Sequence, residues 1–315
     1  MLVFKYAKYA LSDNFNYFFK RINPSDSFKQ KASSQYNSIS NLIENSLLTQ
    51  QLIPKCFLQG SYDRQTSIYT INDIDIVVIC RGLYLNKKSD LSRKSWSRHD
   101  IFACIASPLL SDGRYKDKVY YRQSSMCIKL DLGIKAEIMP VVIKNEGDSY
   151  NIEPFSLYRP EDQKWEDGYA RYHQQHLTDK NKNTNGNFIP AIKVFKHLRY
   201  YHKVDSVSFH IECLLFYLPD YLFEGSPAIY ITNLLIFIAS YLSEDLHKEG
   251  ILTPCKERLL FTDTEWDFDS WKNFHRHVQS WAHLAKGAIE ANSRENSIFY
   301  WQKLLGWEYL PEEVS

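Results

Sequence analysis

The sequence predicts an α+β protein of two lobes, a mixed-sheet first half followed by a helical second half. Three observations carry that expectation. Before residue 51, apolar residues recur at helical spacing, at Tyr36, Ile39, Leu42, Ile43 and Leu47. Between Cys56 and Ile143 the period shortens and β-branched runs appear, the richest being Ile74 to Cys80. After Pro190 everything reads as helix, with Ile192, Phe195 and Leu198 on one face. Strands and helices segregated along a chain in this way build α+β folds.

Taken in order, residues 12 to 51 are expected to be helical. Ser25-Asp26-Ser27 can cap a helix there, because a short polar side chain accepts an N–H that the first turn leaves unpaired. Cys56-Phe57-Leu58 reads as a short strand and Ile74 to Cys80 as a second. Ser89 to Leu110, mixed polar and apolar, is a place for a helix. Val119 to Leu132 and Ala136 to Ile143 resemble two strands joined at Gly133 as an antiparallel, hairpin-like pair. From Glu153 to Asn187 the composition turns polar, with Pro154, Pro160 and the run from Asp179 to Asn187. That stretch reads as loop and as the natural boundary between lobes of residues 1–152 and 153–315. Pro190 suits a first helical position.

Composition narrows the function classes. With 44% hydrophobic and 24% charged residues the chain can bury a core, and its 22 Tyr, 18 Phe and 7 Trp exclude a disordered or low-complexity protein. A formal net charge of +1 gives no global basicity, so no long nucleic acid is an obligatory partner. The six cysteines are scattered without a C-x-x-C pair. They read as reduced thiols of a cytoplasmic protein, neither a disulfide framework nor a zinc site. Met1 to Leu11 lacks the apolar core of a signal peptide. Ile229 to Leu242, the most apolar stretch, is too short for a bilayer and contains Thr232, Asn233 and Ser240, so no membrane association is expected.

The chemistry concentrates between residues 59 and 137. Gly60-Ser61 follows a strand, where a glycine lets the backbone approach a ligand and a serine adds a hydroxyl and an N–H, together a phosphate cradle. Taken alone, a Gly-Ser pair is most often a plain turn. Asp73-Ile74-Asp75 then opens an apolar strand, and alternation puts both carboxylates on one face, roughly 6–7 Å apart. Two like charges so placed repel unless a cation sits between them. Mg²⁺ (or Mn²⁺) suits hard oxygen ligands; the plain alternative is a solvated acidic strand end. Glu137, ahead of another apolar run, supplies a third carboxylate, preferred over Asp131, which falls near the turn. Three acids can clamp two metal ions for phosphoryl-type transfer.

The order Gly-Ser, Asp-x-Asp, then an acid before Met139-Pro140 resembles that of the DNA-polymerase-β-like nucleotidyltransferase superfamily. More narrowly, the chain resembles the bacterial cGAS/DncV-like nucleotidyltransferases (CD-NTases). That resemblance rests on Phe57-Leu58-Gln59-Gly60-Ser61-Tyr62 with Thr66-Ser67-Ile68, Gly186-Asn187-Phe188-Ile189-Pro190 running into Lys193-Val194-Phe195-Lys196, Ser208-Phe209-His210-Ile211-Glu212, and Trp301-Gln302-Lys303-Leu304-Leu305-Gly306. It covers residues 15 to 311 and implies a bilobal polymerase-β-like fold whose helical lobe completes a nucleotide cleft.

By the same resemblance, Asp73, Asp75 and Glu137 are the catalytic and metal-binding acids, although the family commonly has Asp at the third position. Gln59, Gly60, Ser61, Lys193, Lys196, Ser208 and Phe209 are implied to bind nucleotide. Lys196 would reach the donor triphosphate with help from Lys193, Ser208 would contact the same phosphates, and Phe209 would stack on the donor base. From the residues alone, Lys193 and Lys196 at i and i+3 can equally be snorkelling side chains, Phe209 can be core, and His210 is structural.

The implied activity is a cyclic di- or oligonucleotide synthase. A bound 3′-hydroxyl attacks the α-phosphate of an NTP, pyrophosphate leaves, and a second such step closes the ring. In bacterial relatives the product switches on an effector protein in anti-phage (CBASS) signalling, and some are regulated by a partner at the C-terminal tail, here residues 311–315. Two alternatives stand beside it: nucleotide addition to an RNA end or a protein, with an acceptor groove at Lys87, Lys88, Arg93 and Lys94, or a nucleotide-binding sensor without turnover.

Overall fold

Strand β2 (Asp73–Tyr84) organises the sheet because it is apolar on both faces. Ile74, Ile76, Val78 and Cys80 enter one core with Ile39, Ile43, Ile101 and Ile105, whereas Val77 and Ile79 enter a smaller core with Phe57, Val141 and Phe155. A strand buried on two sides must carry such a continuous hydrophobic run. The computed structural model describes residues 3–85, 91–92, 96–122, 126–144, 153–160, 163–241 and 250–313. Two compact units divide the chain: Ser25–Gln65 with Thr70–Gln174, and Met1–Pro24 with Thr66–Tyr69 and Gln175–Ser315.

The first unit is built on a mixed seven-stranded sheet. Its strands are β1 (Pro54–Gln59), β2, β3 (Val119–Tyr120), β4 (Ile128–Asp131), β5 (Lys135–Ile143), β6 (Phe155–Arg159) and β7 (Lys164–Gly168). The order is β1-β2-β5-β4-β3, with β6 pairing the end of β5 and then β7. Among the described residues only the central β2–β5 pair is parallel, and the other strand pairs are antiparallel. Helix α2 (Asp26–Glu44) starts at Ser25, whose hydroxyl accepts the Phe28 N–H, as expected. A single turn, α3 (Gly60–Asp63), follows β1. Helix α4 (Arg98–Ser111) overlaps the predicted span, running one residue past its end, and is held by a capping box between Ser97 and Asp100.

The second unit is helical. Its helices among the described residues are α1 (Ser12–Ile22), α6 (Phe188–Tyr201), α7 (Ser208–Phe216), α8 (Pro227–Tyr241), α9 (Phe268–Ile289) and α10 (Arg294–Leu305). One core joins them, with Trp266, Trp271, Trp281 and Trp301 fully buried. Phe15 of α1 packs edge-on against Trp301 at 5.1 Å, which ties the N-terminal helix to the last one. No helix among the described residues is long and apolar enough to cross a membrane.

Four expectations need correction. Residues 153–187 are not loop: they form the β6–β7 hairpin and helix α5 (Ala170–Asn183). Helix α5 buries only Leu177, so its polar run signals a solvated helix, and its first N–H groups are met by Glu153, which accepts from Arg171 and Tyr172. The run Val119 to Leu132 splits into β3 and β4, although β4 and β5 do pair antiparallel about Gly133. Helix α6 begins two residues before Pro190, in a first turn where a missing N–H costs no intrahelical bond. Beyond it the chain is not helix throughout, since Leu252 and Leu259 form a β-bridge.

Candidate active site

Register across four strands assembles the acidic centre. Gln59 at the end of β1 lies opposite Asp75. Asp75 lies opposite Glu137 of β5, and Glu137 opposite Lys129 of β4. Residues directly paired in this way present their side chains on the same face of the pleat. Asp73 shares that face by alternation, because its neighbours Ile74 and Ile76 are turned into the opposite core. Asp73 is exposed, whereas Asp75 and Glu137 are half-buried.

The electrostatics of the row follow from burial. Asp75 is pushed up to about 6, first by desolvation, then by the neighbouring charges of Asp73 and Glu137, with Arg64 opposing the rise. A carboxylate this reluctant to ionise alone is a group that a divalent cation would relieve. Three carboxylates on adjacent strands, one of them destabilised by its own like-charged neighbours, are hard oxygen donors of the kind that divalent cations take. Lys129 Nζ lies 2.8 Å from Glu137 Oε1.

Gly60 is fixed by both backbone and contact. Its φ is +77°, in the left-handed region, and a Cβ there would stand 1.9 Å from Asp75 Oδ2. The backbone of the Gly-Ser turn therefore lies directly against the Asp75 carboxylate. Ser61 follows in α3, which is one turn of four residues. Phosphate contact by Gly60 and Ser61 would accordingly rest on local N–H and hydroxyl groups, since so short a helix has little dipole. Arg64 closes the turn, donating its N–H to the Gly60 carbonyl at 3.1 Å. Gln59 directs its amide toward Met139 Sδ at 3.8 Å.

The remaining site residues read from the sequence lie in the helical unit. Lys196 is 4% exposed and its ammonium is enclosed. It donates to Glu212 Oε1 at 2.5 Å and to Thr66 Oγ1 at 3.2 Å, while Thr66 donates to the same Glu212 oxygen at 2.7 Å. Lys193 donates to Asn23 Oδ1 at 2.6 Å. Ser208 opens α7 and its hydroxyl accepts from Arg199 at 3.4 Å. Phe209 is half-buried against the helical core, and His210 stacks on Trp266 with centroids 5.2 Å apart.

Sequence reasoning missed Lys129, Arg64 and Glu212. Lys129 was open to discovery, because counting outward from the Gly133 turn pairs it with Glu137. Glu212 closes the Ser208 to Glu212 segment, but its place inside an apolar helix disclosed nothing of its pairing with Lys196. Asp131 is exposed and accepts the Gly133 N–H at 3.3 Å, as its place beside the turn suggested. Lys87, Lys88, Arg93 and Lys94 lie outside the described residues, as do Val314 and Ser315 of the tail.

Two family models match the chain in succession. A model of the Second Messenger Oligonucleotide or Dinucleotide Synthetase domain matches residues 10–181. A model of the cGAS/DncV-like nucleotidyltransferase C-terminal helical domain matches residues 175–283. The cyclic UMP-AMP synthase of Rhodothermus marinus is 25% identical over 194 residues, which is 55% of this chain and 66%, just under two thirds, of that relative. The cyclic AMP-AMP-AMP synthase of an Acinetobacter species is 22% identical over 90% of this chain and 81% of its own. The solved Rhodothermus marinus CdnE c-UMP-AMP synthase with Apcpp and Upnpp superposes with a TM-score of 0.67 at 20% identity, covering 85% of this chain and 95% of that one. With a mixed polymerase-β-like sheet, a helical partner unit and both family domains matched in order, the chain belongs to the cGAS/DncV-like nucleotidyltransferase family.

Proposed function

We propose that the protein joins NTPs into a cyclic di- or oligonucleotide, releasing pyrophosphate, and that it serves CBASS-type anti-phage signalling by handing this product to an effector protein. The observation that carries the reading is the row Gln59–Asp75–Glu137 across three strands, with the Gly60 backbone against Asp75. Asp73, Asp75 and Glu137 would hold the Mg²⁺ or Mn²⁺. When bound, such ions supply charge stabilisation at the phosphoryl group and lower the pKa of the attacking hydroxyl. Gly60 keeps Asp75 in place, and Gly60 and Ser61 offer N–H and hydroxyl groups to phosphate oxygens. Ser208, Phe209, Lys193 and Lys196 are assigned to donor-nucleotide binding; for Lys196 this requires exchanging Glu212 for a phosphate. Small acceptors agree with a net charge of +1, since no long polyanion has to be bound.

The test is incubation with each labelled NTP and with all four together, followed by phosphatase and linkage-specific nuclease digestion. A phosphatase-resistant small product that disappears in the Asp73→Asn/Asp75→Asn double variant is expected. Label retained on RNA or protein would move the activity to macromolecular nucleotide transfer. Nucleotide binding without pyrophosphate release under Mg²⁺ or Mn²⁺ would make the protein a sensor.

A further inference from the structure

We propose that Lys129 is a positioning residue that gates divalent-cation loading, holding Glu137 in the metal-free protein and releasing it when a nucleotide polyphosphate arrives. The inference rests on the proposed reading that Asp73, Asp75 and Glu137 hold the metal. Its basis is a direct cross-strand pair: Lys129 and Glu137 face one another across β4 and β5, with Nζ and Oε1 2.8 Å apart. An ammonium on that oxygen occupies a position a metal ion would need, because both compete for the same lone pairs.

The pair is built to come apart. Lys129 is flanked by Ile128 and Leu130, only 0% and 1% exposed, so its backbone is fixed and only the side chain can move. That side chain is 59% exposed and Glu137 is 37% exposed. Exposed pairs are screened by solvent and hold weakly, and lysine is a flexible point charge with three donors. A triphosphate carries several negative charges against the single one on Glu137, so its arrival draws the ammonium off. Glu137 is then open to metal at the moment the nucleotide brings one in.

The device has two consequences of opposite sign. Without Lys129, the empty site gains one net negative charge beside Asp75 and Asp73, and a cation alone binds more tightly. The metal–nucleotide complex, deprived of an ammonium partner, binds more weakly. A lysine that served only to screen the acids or hold the strands together would not weaken the metal–nucleotide complex when removed.

The experiment is Mn²⁺ titration of the full chain, followed by electron paramagnetic resonance or calorimetry, with and without a non-hydrolysable ATP analogue. Wild type is compared with Lys129→Met, Lys129→Arg and Asp73→Asn/Asp75→Asn, with melting curves to confirm folding. Lys129→Met is expected to bind Mn²⁺ alone roughly three- to ten-fold more tightly, as expected for removing one partly screened charge. It is expected to bind the Mn²⁺–analogue complex more weakly by a similar factor, and Lys129→Arg to restore both values toward wild type. Unchanged or weaker Mn²⁺ binding by folded Lys129→Met, with the Asp73/Asp75 variant losing Mn²⁺, overturns the gate alone. Wild-type Mn²⁺ binding by the Asp73/Asp75 variant overturns the metal-site reading itself, and the gate with it.

Discussion

Gly60 and Asp75 share space that no side chain at position 60 could enter: a Cβ would stand 1.9 Å from the Asp75 carboxylate oxygen. The contact joins two local motifs, the Gly-Ser turn and the Asp-x-Asp strand, into one object. Gly60→Ala therefore has two costs, the left-handed φ of +77° and the displacement of Asp75. A shift of about 1 Å at a reacting centre is worth on the order of a hundred-fold in rate. NTP turnover by Gly60→Ala should fall at least that far while its melting temperature drops by only a few degrees. Turnover within a few-fold of wild type would show that Asp75 need not sit where it does.

Asp75 also sets a pH signature. Its folded-state pKa is raised to about 6, above the ordinary carboxylate value, so between about 4 and 6 the folded chain binds more protons than the unfolded one. Stability from this group is present below pH 4 and is lost as pH rises through 6, a loss of about 3 kcal/mol. Asp75→Asn should therefore melt higher than wild type at pH 7.5 without divalent cation, and the two should converge near pH 4. Added Mg²⁺ should raise the wild-type Tm at pH 7.5 and leave Asp75→Asn nearly unchanged. Equal melting of the two proteins at pH 7.5 in chelator would contradict the assignment.

How much of this was legible in the sequence depends on distance along the chain. Gly60-Ser61 and Asp73-Ile74-Asp75 are local patterns, and each declares its geometry through one turn or one strand period. Glu137 was reachable because an acid ahead of an apolar run belongs at a strand entrance, and the parallel register with Asp75 bears that placement out. Lys129 needed a second register, β4 on β5, which no single strand discloses. Strand β7 and α5 were hidden for a different reason: their burial is slight, so the polar composition that marks a loop also marks these solvated elements. Helical spacing placed Lys193 and Lys196 on one face of α6, but spacing cannot say that Glu212 of α7 lies against the second of them.

That buried pair gives a third prediction. Lys196 and Glu212 are both almost wholly enclosed, with Thr66 completing the group. Removing one partner strands a charge in the interior, at a cost of about 3–5 kcal/mol, whereas replacing both by apolar groups of similar volume can be neutral. Lys196→Met and Glu212→Leu should each lower the urea midpoint strongly in the absence of nucleotide. The double variant should recover much of the loss. Single variants that unfold like wild type would mean that Lys196 is held for nucleotide alone.

The end of the chain carries a fourth, of opposite pH sense to Asp75. His197 Nε2 donates to the Leu305 carbonyl at 2.8 Å and His202 Nε2 to the Leu304 carbonyl at 2.9 Å. Both acceptors are in the last turn of α10, whose final carbonyls have no partner within the helix. Burial depresses His197 to about 4, and burial likewise lowers His202. Between about 4 and 6.5 the unfolded chain binds the extra proton, so stability is complete above 6.5 and is lost as pH falls through that window. For His197 the full loss is about 3 kcal/mol. His197→Gln keeps an N–H for the Leu305 carbonyl but cannot titrate. Its Tm should therefore vary less than that of wild type between pH 6.5 and 4.5, and an identical slope in the two proteins would place the acid sensitivity elsewhere.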